Sequence, residues 1–162
     1  RNADDDLVRE GRESTGAVIM GRRMFSGGSG PWEDDPKADG WWGDEPPFHA
    51  PVFVLTHHAR EPLQMKGGTT FTFVTDGIES AIEQARAAAG EKDVQIAGGA
   101  SAIQQALAAR LLDEIQINLA PVLLGGGTPL FGPGADRAGF ELDRVVDAPG
   151  VTHLRYRVSK EQ

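Results

Sequence analysis

The chain has 162 residues, room for one domain with one apolar core, and carries a net charge of −8. So acidic a protein repels nucleic acid, whose recognition needs Lys and Arg set against phosphates. No apolar run is long enough to cross a bilayer and nothing at the start reads as a signal peptide. The absence of cysteine excludes disulfides, thiolate catalysis and cysteine-bound zinc, and fits a reducing cytoplasm.

Residues Asp4 to Gly11 read as a helix with an acidic first turn, where carboxylates meet the positive end of the dipole. Ser14-Thr15-Gly16 turns the chain into a short apolar run, Ala17 to Met20, that ends at Gly21 and suits a strand buried on both faces. From Gly27 to Pro51 a long loop is expected, rich in Gly, Pro, Asp and Trp. Further strands are expected at Val52 to Thr56 and at Phe71 to Val74. Asp76 and Glu79 have capping-box spacing, and the helix after them sets Ile78, Ala81, Ile82, Ala85 and Ala89 on one face before stopping at Gly90. Val94 to Ala97 is a short strand, Gly98-Gly99 a tight turn, and Ala100 to Arg110 a helix with Ile103, Ala106 and Leu107 turned inward. Ile115, Ile117 and Leu119 alternate with polar or small residues as a half-buried strand does, and Gly125 to Pro129 breaks the chain. Phe140 to Val146 and Val151 to Val158, around a four-residue turn at Asp147 to Gly150, read as a hairpin added to the sheet edge. The pattern as a whole is an α/β fold, a mostly parallel mixed sheet with an antiparallel end, in a single domain over residues 1–162.

Three segments could carry chemistry. Gly21-Arg22-Arg23-Met24 follows a strand, where glycine permits close backbone approach and arginine offers a forked donor to phosphate; on spacing alone a strand-end glycine with two solvated arginines is the commoner arrangement. Gly98-Gly99-Ala100-Ser101 has strand–Gly-Gly–helix order, which suits either a diphosphate on helix N-terminal amides or a tight packing turn. It lacks the third glycine of the Rossmann fingerprint, and the chain has no P-loop. Thr56-His57-His58-Ala59-Arg60 ends a strand; adjacent histidines on extended chain point to opposite sides, so they suit an adenosine or ribose phosphate better than one metal. All three segments lie at C-terminal strand ends, where open α/β sheets bind ligands.

Gly21-Arg22-Arg23-Met24, Val54-Leu55-Thr56-His57, Ile96-Ala97-Gly98-Gly99 and the run Leu119 to Gly127 resemble, in this order, the dihydrofolate-reductase-like family. The stretch Trp42 to Pro51 and the Pro121-Val122-Leu123-Leu124-Gly125-Gly126-Gly127 run are similar to its RibD C-terminal branch, of riboflavin biosynthesis. The resemblance implies a three-layer α/β/α fold, often a homodimer, that binds NADPH and reduces a small heterocyclic or carbonyl-type substrate. It implies that Gly21, Arg22, Arg23 and Met24 lie on the cofactor phosphates, with Arg22 on the 2′-phosphate. Thr56, His57 and His58 would line the adenosine side. Gly98 and Gly99, joined in the family by a cis peptide, would flank the diphosphate with Ala100 and Ser101. Pro121, Leu124 and Gly125 would lie at the substrate end.

The family begins with a strand and a Ser-Leu-Asp-Gly-like segment that nothing before Ala17 matches, and the chain opens at Arg1 without Met, so no catalytic acid is assigned. Asp4, Asp5 and Asp6 read as a solvated helix start. Trp32, Trp41, Trp42 and Phe48 could wall the substrate pocket or simply anchor the long loop. Besides the reductase, two readings stand: a nucleotide-binding protein of the same fold without turnover, and a structural partner whose first strand comes from another chain.

Overall fold

The computed structural model describes residues 2–27, 38–132 and 138–160. Trp32 and part of the long loop therefore lie outside the described residues.

Helix α1, Ala3–Ser14, opens on a reciprocal cap: the Asn2 side chain accepts from the Asp5 amide, and the Asp5 carboxylate accepts from the Asn2 amide. It passes without a turn into strand β1, Thr15–Gly21, whose residues Ala17 to Met20 are all buried. The expected turn at Ser14-Thr15-Gly16 is replaced by direct entry, Thr15 being already extended. A short helix α2, Arg22–Ser26, follows, and then strand β2, Pro51–Leu55. A two-residue strand β3, Leu63–Gln64, too short for any sequence period, pairs antiparallel with β4, Thr70–Val74.

Helix α3, Ile78–Ala89, buries the five residues its periodicity names and stops at Gly90. Its cap is corrected. Gly77, at φ 98°, is the N-cap and has no side chain to donate to, so Asp76 falls one residue too early for a capping box with Glu79. Strand β5, Asp93–Gly98, leads to α4, Ala100–Ala108. That helix ends short of Arg110, which takes a left-handed φ of 57°. It buries Ala102 and Ala106, with Ile103 and Leu107 half-buried.

Among the described residues, the first five strands form one sheet in the order β3-β4-β2-β1-β5, with β4, β2, β1 and β5 parallel. Two apolar layers cover it. Ala17, Ile19, Phe53 and Val74 face α3, while Val18, Met20, Val52, Val54 and Phe71 face Phe25 of α2. Alternate residues of β1 and β2 thus serve opposite layers, as the period of two requires.

Strands β6, Glu114–Leu119, β7, Gly139–Ala148, and β8, Val151–Ser159, form a second, antiparallel sheet in the order β6-β8-β7. The expected hairpin is there, but its partner is corrected: β8 pairs along all of β6, and no ladder joins either to the first sheet among the described residues. Its turn is also shorter than expected, because Ala148 and Val151 already pair and leave Pro149-Gly150 as a two-residue link with Gly150 at φ 79°. A crevice of about 940 Å³ separates β5 from β6. α1 is tied to the second sheet by Arg144, which donates to both Glu10 carboxylate oxygens at 3.2 and 3.0 Å, and by His153, whose Nε2 lies 2.9 Å from Asp4.

The hairpin carries one marked charge cluster. Asp143 is the extra residue where the register shifts between Leu142 and Arg144, and it accepts from Arg155 Nε and Arg157 Nη2, both at 2.7 Å. The Arg155 hydrogen bond, opposed by partial desolvation and aided by the charges of Arg157 and Arg155, holds its carboxyl below the usual aspartate range. A carboxyl depressed in the folded state adds stability above its unfolded pKa that is lost as pH falls through its folded one. Asp143→Asn is therefore expected to be less stable at neutral pH and to lose less on acidification below the ordinary aspartate range, read as denaturant midpoints against pH. Parallel curves for the two proteins would remove Asp143 from acid sensitivity.

Candidate functional site

The register sets three strand ends level. Gly21 pairs with Leu55, Leu55 with Val74, and Met20 with Gly98, so β1, β2, β4 and β5 all finish at one edge of the sheet. The three segments singled out from the sequence therefore meet, with β1 in the middle. A fourth segment joins them that sequence reasoning assigned only to helix capping: Thr75, Asp76 and Gly77 leave β4 at the same edge, exposed. The clue was available in the parallel character of β4, whose end must lie beside that of β2.

Backbone approach is close where β1 meets β5. A Cβ on Gly21 would stand 3.6 Å from the Gly99 amide nitrogen and 3.9 Å from the Gly98 carbonyl, so it would fill the space over that amide. The Gly98–Gly99 peptide is cis, and Gly98 itself is buried at φ 135° with the Met24 sulfur 3.3 Å from where a Cβ would sit. Gly99 then caps α4 without any side chain, and the first bond within the helix runs from the Ile103 amide to the Gly99 carbonyl. The amides of Ala100, Ser101 and Ala102 precede it, as the first turn of any helix leaves its donors unused. The Ser101 hydroxyl accepts from Gln105 Nε2 at 3.1 Å.

The β2 end is organised by Thr56. Its amide donates to the Val74 carbonyl, and its buried hydroxyl accepts from the His58 amide at 3.1 Å, which folds the chain back and leaves both histidine rings exposed. Arg60 lies over the Phe73 ring, its guanidinium carbon 4.8 Å from the centroid. With half-buried Arg22 and exposed Arg23, the edge gathers three arginines and two histidines in a chain that is acidic overall.

Aromatic rings hold α2 in place. Trp41 Nε1 donates to the Met24 carbonyl at 2.7 Å, Trp41 stacks on Trp42 at 4.3 Å, and Trp42 meets Phe48 edge-on at 4.8 Å. Phe25 lies edge-on to Phe71 and Phe73 at 5.0 and 5.3 Å. Trp42 and Phe48 thus anchor the loop to the core, whereas Trp41 remains largely exposed. Pro121, Leu124 and Gly125 follow the end of β6 in the second sheet and are exposed. The segment behind them is tied to α4 by Gln104, whose Nε2 donates to the Pro129 and Leu130 carbonyls.

Residues 2–154 match the RibD C-terminal domain model. The chain belongs to the RibD C-terminal domain family. Solved relatives carry the same fold. A protein assigned to riboflavin biosynthesis in Shewanella sp. PV-4 is 27% identical, over 99% of this chain and 82% of that one, with a TM-score of 0.70. A pyrimidine reductase-like protein of Corynebacterium diphtheriae is 15% identical, over 99% and 83%, with a TM-score of 0.59. The deaminase/5-amino-6-(5-phosphoribosylamino)uracil reductase of Thermotoga maritima is 15% identical with a TM-score of 0.58; the match covers 97% of this chain and 49% of that enzyme. No curated protein sequence matches. This RibD C-terminal domain thus belongs to a reductase-like family of riboflavin biosynthesis, with the α/β fold expected from its residues.

Gly98→Ala tests the edge. A side chain at that φ is strained by about 1–3 kcal/mol and would press on the Met24 sulfur. The variant is expected to lose stability of that order and to displace α2, read as a lower denaturant midpoint together with a shifted Trp41 emission. An unchanged midpoint would mean that Gly98 is neither strained at that φ nor packed on Met24.

Proposed function

We propose that the edge where β2, β1 and β5 end binds NADPH, and that the protein reduces a C=N or C=O bond of a small heterocyclic substrate in the cytoplasm. The observation that supports this most is the meeting of Gly21, Thr56-His57 and Gly98-Gly99 at one parallel strand edge, beside the open amides that begin α4. A diphosphate suits those amides, since they add donors and the positive end of a helix dipole. The side-chain-free surface of Gly21 and Gly99 leaves the backbone approachable there. Arg22 and Arg23 would take phosphate oxygens, with Arg22 on the 2′-phosphate, and the exposed His57 and His58 rings would flank the adenosine. Met24, held through its carbonyl by Trp41 and lying against Gly98, keeps that floor fixed.

Bound there, the nicotinamide would supply hydride, while the chain supplies position and charge. Pro121, Leu124 and Gly125 would lie toward the substrate, and no residue of the chain is assigned as the proton donor. The uracil ribophosphate named for the Thermotoga maritima relative is the first substrate to test. A second copy of the chain would cover exposed Val122, Leu123 and Leu124.

Titration with NADPH and NADH, read by tryptophan emission, tests binding; NADPH is expected to quench, and no response to either overturns the proposal. With a nucleotide bound, loss of 340 nm absorbance on adding the uracil ribophosphate separates a reductase from a protein that only binds. Arg22→Ala is expected to weaken NADPH by about tenfold or more, the worth of one charge-assisted hydrogen bond, while leaving NADH nearly unchanged. Equal weakening of both would remove Arg22 from the 2′-phosphate.

A further inference from the structure

The segment between β6 and β7 is held at its ends and little bonded between them. Residues 120–129 are all exposed. Among the described residues, the backbone of 120–132 makes one hydrogen bond, from the Val122 amide to the Ala120 carbonyl. At the near end, Leu119 pairs with Thr152 of β8. At the far end, the Phe131 ring lies on Phe140 of β7, with 5.7 Å between centroids. Both of those contacts belong to the second sheet.

The contact that joins this segment to the first sheet's side comes from Gln104 of α4. Its Nε2 donates to the Pro129 carbonyl at 3.2 Å and to the Leu130 carbonyl at 3.0 Å. Two carbonyls can be met only by the NH2 end of a carboxamide, which fixes how the side chain is turned. Its Oε1 packs close to Gly132, 3.3 Å from where a Cβ would stand there. The half-buried side chain thus grips the segment from Pro129 to Gly132.

The place of Gln104 on its helix gives the grip its meaning. It stands four residues after Ala100, which is one turn, or a rise of about 6 Å, into α4. Helical side chains lean toward the N-terminus and cover the turn before their own Cα, so Gln104 reaches back beside Ala100 and Ser101. Those residues open α4, and their amides have no partner inside the helix. Pro129 and Leu130 are therefore held next to the turn proposed above for the cofactor diphosphate. With Leu119 and Pro129 both fixed, the run Pro121 to Gly127 is a loop closed at its two ends, and closure restricts what its middle can sample. Without Gln104, the hydrogen bonds and ring contacts that remain to the segment among the described residues are those of the second sheet.

We propose that Gln104 is a positioning residue: its carboxamide latches the segment after β6 to the first turn of α4, and so holds the run Pro121 to Gly127 over the nicotinamide half of the bound cofactor. Gln104 touches neither cofactor nor substrate in this role and acts through the loop it holds. The latch stands on the two hydrogen bonds; its effect on the nicotinamide rests on the cofactor reading above.

Two readouts separate these parts. Thermolysin, which cuts ahead of large apolar residues, reports the loop through cleavage at Leu123 and Leu124, both strongly exposed. Iodide quenching of the emission of bound NADPH reports how open the nicotinamide is to water. Gln104→Leu keeps the bulk and loses the donor. It is expected to be cut at those two sites about tenfold faster, as the loss of two hydrogen bonds predicts, with cleavage elsewhere unchanged. Its bound NADPH is expected to be quenched more strongly, while NADPH itself binds about as well. Gln104→Lys keeps a donor for the same carbonyls and is expected to bring both readouts back toward the wild type. Equal cleavage of the wild type and Gln104→Leu would overturn the latch, and a Lys variant as open as the Leu variant would overturn its hydrogen-bonded basis. Faster cleavage with unchanged quenching would overturn the placing of the loop over the nicotinamide. A wild type that binds no NADPH, with the loop still freed in Gln104→Leu, would overturn the cofactor reading and the positioning role together and leave the latch standing.

Discussion

Parallel pairing of β1 with β2 on one side and β5 on the other is the constraint on which the rest depends. β1 is buried along Ala17 to Met20 because apolar layers cover both of its faces, and a one-residue slip would turn Ala17 and Ile19 away from the α3 side and Val18 and Met20 away from the Phe25 side. Once that register holds, Gly21, Leu55 and Gly98 must end level. The candidate site is thus a consequence of core packing: its backbone donors are set by strands that cannot slip without exposing the core.

Small residues do different work at two places in that core. On α3, Ala81 and Ala85 are fully buried and let the helix lie close over β1 and β2. At the strand edge, Gly21 and Gly98 let two chain ends meet and leave backbone amides open instead of covering them with side chains. The aromatic chain from Trp41 through Trp42 and Phe48 to Phe71 then fixes the arginine-bearing α2 against the opposite layer.

The second sheet is organised by polar contacts as much as by burial. β6 and β7 carry exposed Leu119, Leu142 and Val145, while Asp143 and its two arginines brace the hairpin across its bulge. It meets α1 by Asp4 with His153 and Glu10 with Arg144, and among the described residues no strand ladder joins it to the first sheet.

The sequence by itself determined the four parallel strands of the first sheet, the buried face of α3, the hairpin and the family, because period, turn residues and ordered motifs are local properties. It also marked Gly21, Thr56 and Gly98 as strand ends. Several things were decided only in three dimensions. The position of Gly77 overrode the Asp76 cap, because one residue of phase changes which group stands at the helix start. β3 is two residues long and exists only through its partner β4. Above all, the pairing of the hairpin with β6 depends on which distant strands find each other. Strand order is a property of contacts between segments far apart in the chain, and no local pattern encodes it.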